Sequence, residues 1–253
     1  MLQQTPVVRV LPVWREWLAR WPSPGDLAAE SSGEAVRAWG RLGYPRRALR
    51  LHAAATVIAQ DHDGHVPRDP VELRALPGIG EYTAAAVSAF AFGDPATVVD
   101  TNVRRVLARA RSGKALPAMS LNRAEMRLAH ENVPADRERA AAWNAGVMEL
   151  GAIICKARSP VCDVCPIRSH CAWRAAGYPP YDGPPRKGQA WDGTDRQCRG
   201  ALLQVLRSRD EPIPAEQLAL AWADAEQRER CVASLVADQL LQEAPAGHYR
   251  LPG

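Results

Sequence analysis

Four cysteines carry the most specific chemistry in this chain. Cys155, Cys162, Cys165 and Cys171 follow the spacing C-x6-C-x2-C-x5-C and fall within seventeen residues. No signal-peptide pattern opens the sequence, so thiols this close together read as metal ligands rather than disulfides. Zinc and a cubane iron–sulfur cluster both accept four cysteines. Only one C-x2-C pair is present, with Cys155 at the end of a helical pattern and the other three in a tight loop. That arrangement favours wrapping a bulky cluster over gripping a single ion. Cys198 and Cys231 stand apart on helical patterns and read as buried thiols.

A second constellation lies upstream. "LPGIGEYTAAAV", residues 76–87, sets Gly78 and Gly80 in a tight turn before a helix. Backbone amides of such a turn, at a helix N-terminus, point outward and favour a phosphate. A lone G-x-G could merely cap a helix, but the preceding "DPVELRALP" makes the whole a helix–hairpin–helix. Some twenty residues later "VVDTNVRRVLARA" puts Asp100 at the mouth of another helix. An aspartate there can cap the helix and still present a carboxylate for chemistry.

These residues need a scaffold, and the pattern around them is helical. "GEAVRAWGRLGY", "YTAAAVSAFAFG", "TNVRRVLARA" and "RAAAWNAGVMELGAIIC" read as helices, and strand-like alternation is scarce up to about residue 175. At the start, Val7, Val10, Leu11, Trp14, Trp17, Leu18 and Trp21 recur at helical spacing. Residues 177–194 are rich in Pro and Gly and read as a linker. Beyond it, helices over 195–209, 214–222 and 224–244 and one short strand at "GHYRLP" suggest a winged helix; a packing or dimerisation module is the alternative. The expected fold class is all-α, with lobes over 1–98 and 99–176, the linker, and a winged-helix-like module over 195–253.

Composition fits a globular protein, at 47% hydrophobic and 24% charged residues, and no apolar run reaches membrane-spanning length. The expected compartment is the cytoplasm, with no membrane partner. Residues 196–253 carry seven basic against eight acidic side chains, so the net charge of +4 sits in the body and points weakly to a polyanion.

Hairpin, aspartate and cysteine loop in this order resemble the helix–hairpin–helix DNA glycosylase superfamily that includes endonuclease III, over residues 1 to about 173. The resemblance implies two helical lobes with DNA and an extruded base between them, one [4Fe–4S] cluster, and a monomer acting on nucleoid DNA with no small-molecule substrate. It makes Asp100 catalytic and gives the hairpin residues Pro77, Gly78 and Gly80 to backbone phosphate. Arg104, with Lys156, Arg158 and Arg168 of the cluster loop, would also meet DNA. Bifunctional members carry a lysine two residues after the second hairpin glycine; here Tyr82 stands there, and a phenol cannot form an imine.

Tyr82, "MLQQTP" and "DTNVRRVLAR" resemble the MutY-type adenine glycosylases, which remove adenine mispaired with 8-oxoguanine in double-stranded DNA. Tyr82 and Asn102 would then orient Asp100, which stabilises the sugar cation. Gln3, Gln4 and Thr5 would surround the partner base, and Tyr44 would stack beside it or belong to the core. In that family the general acid is a glutamate two residues before the methionine of M-L-Q-Q-T, which in this chain is Met1. The expectation is a start codon assigned too far downstream; a catalytically impaired DNA-binding iron–sulfur protein is the rival. A G·T mismatch thymine glycosylase is the nearest enzymatic alternative. The tail is too short for the Nudix-like domain that members of this group often carry.

Overall fold

A computed structural model describes residues 1–185, 188 and 190–253. Arg186, Lys187 and Gln189, within the expected linker, lie outside the described residues. In chain order come α1 (Val7–Arg20), α2 (Pro24–Ala29), α3 (Ser32–Trp39), α4 (Arg46–Asp61), α5 (Pro70–Ala75), α6 (Glu81–Phe90), α7 (Thr101–Ala110), α8 (Arg123–Asn132) and α9 (Arg137–Glu149). A π-helical turn (Leu150–Ile154), α10 (Ala172–Ala175), α11 (Asp195–Arg207), β1 (Ile213–Pro214), α12 (Ala215–Ala221), α13 (Ala225–Ala237), β2 (Gln242–Ala244) and β3 (His248–Arg250) follow. No helix among the described residues is long and apolar enough to cross a membrane.

Local sequence sets most of the helix starts. Ser23, Ser31, Asn122, Asp136, Thr194 and Asp224 each take the N-cap and accept a hydrogen bond from the amide three residues on. Each satisfies a donor the helix cannot, worth about 1 kcal/mol.

The chain divides into two compact units, and the division is not the one expected from sequence. The first unit holds Met1–Pro67, Leu76–Gly78 and Lys187–Gly253. Its core joins Trp17, Val36 and Trp39 from the N-terminal helices to Leu202, Leu235 and Leu241 from the C-terminal residues. Trp17 and Trp39 meet edge to face at 5.7 Å. Arg37 of α3 caps the end of α11 by donating to the carbonyls of Arg207 (2.6 Å) and Arg209 (2.8 Å). Gly33 lets the chain end approach: a Cβ there would stand 2.1 Å from the Pro252 carbonyl oxygen. Residues 195–253 are therefore built into the core of the N-terminal helices rather than hung behind a linker.

Helices α11, α12 and α13 and an antiparallel sheet of order β1-β3-β2 give the winged-helix arrangement. The helix expected to run to residue 244 stops at Ala237, because Gln239 turns into the left-handed region (φ 57°). Leu240 and Leu241 then drop into the core and β2 begins. On α1 the apolar stripe proves wider than its buried face. Val10, Trp17 and Trp21 are buried, while Val7, Leu11, Trp14 and Leu18 are exposed.

The second unit holds Arg68–Ala75 and Ile79–Arg186, so it begins well before the expected boundary at residue 99. Its core gathers Val103, Leu107 and Ala129 with Trp143 and Val147 alongside. Fully buried Asn144 on α9 accepts from the Val98 amide (3.3 Å) and donates to the Ala96 carbonyl (2.9 Å). One side chain thereby fixes the irregular segment that delivers Asp100 to α7.

Candidate functional site

Asp100 caps α7 from an extended backbone (φ −97°, ψ −177°). One carboxylate oxygen accepts from the amides of Asn102 (2.8 Å) and Val103 (2.7 Å), and the other from Asn102 Nδ2 (2.8 Å). The amides at a helix start favour an acceptor of this kind, and the three bonds fix the carboxylate in place. Tyr82 lies in the first turn of α6, one residue inside the helix that Gly80 caps, and is 39% exposed. Burial and the nearby Asp100 charge both push its phenol above the ordinary tyrosine value. The phenol therefore keeps its proton near neutral pH and can donate. Asn102 is thus bonded to Asp100, and Tyr82 lies near enough to feel its charge.

Behind them stands a side chain that the sequence reading missed. Arg105 is 9% exposed and donates from Nη2 to Asn102 Oδ1 (2.7 Å) and to the Gly151 carbonyl (2.6 Å). Its Nε donates to the Cys155 carbonyl (2.7 Å). The π-helical turn that carries Gly151 can come this close only because it lacks a side chain there: a Cβ would stand 2.6 Å from Asn102 Cβ. A continuous path of hydrogen bonds therefore runs from Asp100 through Asn102 and Arg105 to the first cysteine.

The four cysteines line one cavity, about 410 Å³ of atom-free space including its mouth, with Arg109, Ile154 and Trp173 among its walls. Cys155 follows the π-helical turn, Cys162 and Cys165 bracket a single helical turn, and Cys171 leads into α10. Burial pushes the Cys165 thiol up, and the other three cysteines push it the same way. Such crowding calls for a cation to hold all four as thiolates. Among the described residues no three His, Cys, Asp or Glu side chains gather tightly enough for a single metal ion. Four thiols lining one cavity are a donor set that a polynuclear cluster accepts. Arg109, 3% exposed, completes the wall: Nη1 reaches Cys155 Sγ (3.3 Å) and the Lys156 carbonyl (2.8 Å), with Trp173 at 4.6 Å beneath.

The residues expected at DNA fall into distinct environments. Gly78, in the left-handed region (φ 77°), and Gly80 are exposed at the hairpin, and Pro77 is half-buried. A Cβ on Gly78 would stand 2.7 Å from Arg50 Cβ, so the exposed Arg50 lies alongside the hairpin. Lys156 and Arg158 are exposed on the cluster loop, while Arg168 donates to the Asp163 carbonyl (3.0 Å). Arg104 is committed elsewhere: its side chain is 11% exposed and pairs with Glu125 at 2.7 Å. In the first unit, Gln3 is half-buried and Gln4 exposed, with Gln4 in the left-handed region. Thr5 is 7% exposed, and its hydroxyl accepts from Arg47 Nη2 (2.8 Å). Tyr44 is 53% exposed, so it is no part of the core.

Comparison with known proteins bears directly on this arrangement. Residues 1–130 match the family described as HhH-GPD superfamily base excision DNA repair protein. Residues 155–171, the cysteine loop, match the iron–sulfur binding domain of endonuclease III. The chain belongs to the HhH-GPD superfamily. Among HhH-GPD proteins, an adenine DNA glycosylase of Mycobacterium tuberculosis is 51% identical over 259 residues, covering all of this chain and 83% of the relative. A human adenine DNA glycosylase is 40% identical over 176 residues, 69% of this chain and 32% of its own length. Solved HhH-GPD structures agree in fold. A thermostable thymine-DNA glycosylase aligns with TM-score 0.61 and 31% identity over 69% of this chain and 80% of its own. A trapped endonuclease III–DNA covalent intermediate gives 0.60 and 28% over 70% and 81%. The cysteine loop of this HhH-GPD protein is an iron–sulfur site and holds a [4Fe–4S] cluster.

Proposed function

We propose that this protein removes adenine mispaired with 8-oxoguanine, or with guanine, from double-stranded DNA by hydrolysing the N-glycosidic bond. One observation carries the reading: a carboxylate capped by two helix amides and an asparagine, beside a protonated tyrosine, in a chain 51% identical along its full length to an adenine DNA glycosylase.

The target nucleotide leaves the stack at a cost of about a few kcal/mol. Cleavage then leaves positive charge on the sugar, in the manner of glycoside hydrolysis. Asp100 supplies the opposing charge at fixed geometry, which is electrostatic preorganisation and needs no reorganisation as the bond breaks. The protonated Tyr82 phenol donates toward the carboxylate or the sugar, and Asn102 locks the carboxylate plane. No lysine stands at position 82, so strand scission through an imine does not follow. The hairpin amides at Gly78 and Gly80, with Lys156 and Arg158 from the cluster loop, grip backbone phosphate. When bound, the cluster cross-links the loop that presents those two cations. The protein works as a monomer on the chromosome.

The thymine glycosylase likeness, at 31% identity, supports one second reading, excision of thymine from G·T mismatches. Single-turnover assays on A·8-oxoguanine, A·G and T·G duplexes separate the two. Faster release of adenine opposite 8-oxoguanine is expected; a preference for T·G would overturn the proposal.

A further inference from the structure

Arg47, in the first turn of α4, joins two segments that lie far apart in the sequence. Its Nη1 donates to the carbonyls of Met1 (3.2 Å) and Gln3, and its Nη2 to Thr5 Oγ1 (2.8 Å) and the Gly43 carbonyl (3.2 Å). The same guanidinium lies 5.2 Å from the Trp39 ring and 5.3 Å from the Tyr44 ring. On each side of this fork one residue other than glycine occupies the left-handed region: Gln4 at φ 55° and Tyr44 at φ 49°. Such conformations persist only where the surroundings over-determine them, and they gather at functional sites. Here both strained residues are exposed: Gln4 is bracketed by the Gln3 carbonyl and the Thr5 hydroxyl that Arg47 holds, and Tyr44 follows the Gly43 carbonyl that it also holds.

The arginine itself is in an unfavourable setting. Its Nε is enclosed, with no hydrogen-bond partner among the described residues. Burial holds its pKa below the ordinary guanidinium value, against the pull of Tyr44. A residue needed only for charge would sit at the surface. A planar fork that must reach two turns at once cannot, and a lysine ammonium could not replace it.

We propose that Arg47 is a positioning residue which ties the Gln3–Thr5 turn to the Gly43–Tyr44 turn and so presents Gln4 and Tyr44 as one rigid edge that reads the base opposite the target. What is read rests on the adenine-glycosylase reading; the clamp does not.

The test uses full-length protein carrying Asp100→Asn, so that DNA is bound but not processed. Dissociation constants are measured for duplexes with adenine opposite 8-oxoguanine and opposite guanine. Arg47→Met lowers the ratio of the two constants at least fivefold while cluster absorbance and helical circular dichroism are retained, and Arg47→Lys recovers only part of it. A folded Arg47→Met protein with the parent ratio overturns the proposal. Should Arg47→Met fail to accumulate, Arg47→Lys decides alone: a reduced ratio supports the clamp and a parent ratio overturns it. Amide exchange reads the clamp without DNA. Exchange over residues 3–5 and 43–44 must quicken together in either variant, and unchanged exchange in one segment overturns it. Parent protein with no preference for 8-oxoguanine would sink the adenine reading instead, leaving the exchange result to judge the clamp.

Discussion

Two arginines, one in each unit, do related work by different means. Arg105 in the second unit binds groups already ordered: a helix-capping pair, a π-helical carbonyl and a cysteine carbonyl. Arg47 in the first unit binds turns held in left-handed conformations on both sides of it. The chemistry of Asp100 is therefore set mostly by neighbours two and three residues away, and Arg105 reinforces it. The reading edge has no such local support and depends on one long-range fork. The contrast suggests that excision tolerates change better than discrimination does. It also makes the first unit the place where specificity is lost before activity.

Several substitutions would sharpen or break that contrast. The largest effect is expected from Cys162→Ser, which removes a ligand of the cluster. Loss of a structural metal site belongs to the class of changes costing more than about 4 kcal/mol, or roughly 8–16 °C in a chain of this length. The visible cluster absorbance and the melting temperature of the purified protein check this.

Arg105→Met comes next. It takes the donor from Asn102 Oδ1 and the Gly151 carbonyl and leaves the Cys155 carbonyl only the longer bond from Arg109 (3.4 Å), at about 1–3 kcal/mol for each group left unsatisfied. Melting should fall accordingly, and single-turnover adenine release should slow more than duplex binding weakens. Equal losses in both would deny any orienting role for the path from Cys155 to Asp100. Gly151→Ala presses the π-helical turn against Asn102, an overpacking cost of about 1–3 kcal/mol. Its signature is slower release with affinity kept.

Tyr44→Ala should weaken duplex affinity by about 1–3 kcal/mol, the usual worth of stacking one base on an aromatic ring, with melting unchanged. Smallest is a pH effect at Glu34. Burial would raise its pKa, but hydrogen bonds from Arg37 and Arg20 overcome that and hold it below the ordinary carboxylate value. Its stabilising contribution is therefore present above the unfolded carboxylate pKa and lost as the pH falls through the lower folded value. Denaturant melts across the acidic range should show Glu34→Gln abolishing that component.

How much of this was readable beforehand depended on the range of the interaction. Asp100, Asn102 and the four cysteines were legible because their partners lie within a few residues or in a fixed spacing. The same locality made the helix caps plain. Arg104 read as a DNA contact because a basic residue on a helix is ordinarily solvated; Glu125, twenty-one residues on, takes it. Arg105 and Arg109 are buried for the reason that hid them, since their partners sit on the π-helical turn and the cysteine loop, 46 to 50 residues away. Strands of two and three residues show no alternation, so β1 and β2 left no trace in the pattern. The union of the chain's two ends in one core depends on contacts such as Gly33 with Pro252. No window along the sequence can display that.

The central claim is that the Asp100 carboxylate performs the excision while other groups hold the DNA. Single-turnover release of adenine from an A·8-oxoguanine duplex, measured beside the dissociation constant of the same duplex, tests it with Asp100→Asn. Release should fall by about 10²–10³-fold, the usual worth of one preorganised electrostatic stabiliser, with binding within a few-fold of the parent. Release at the parent rate, or release and binding lost together, would contradict it.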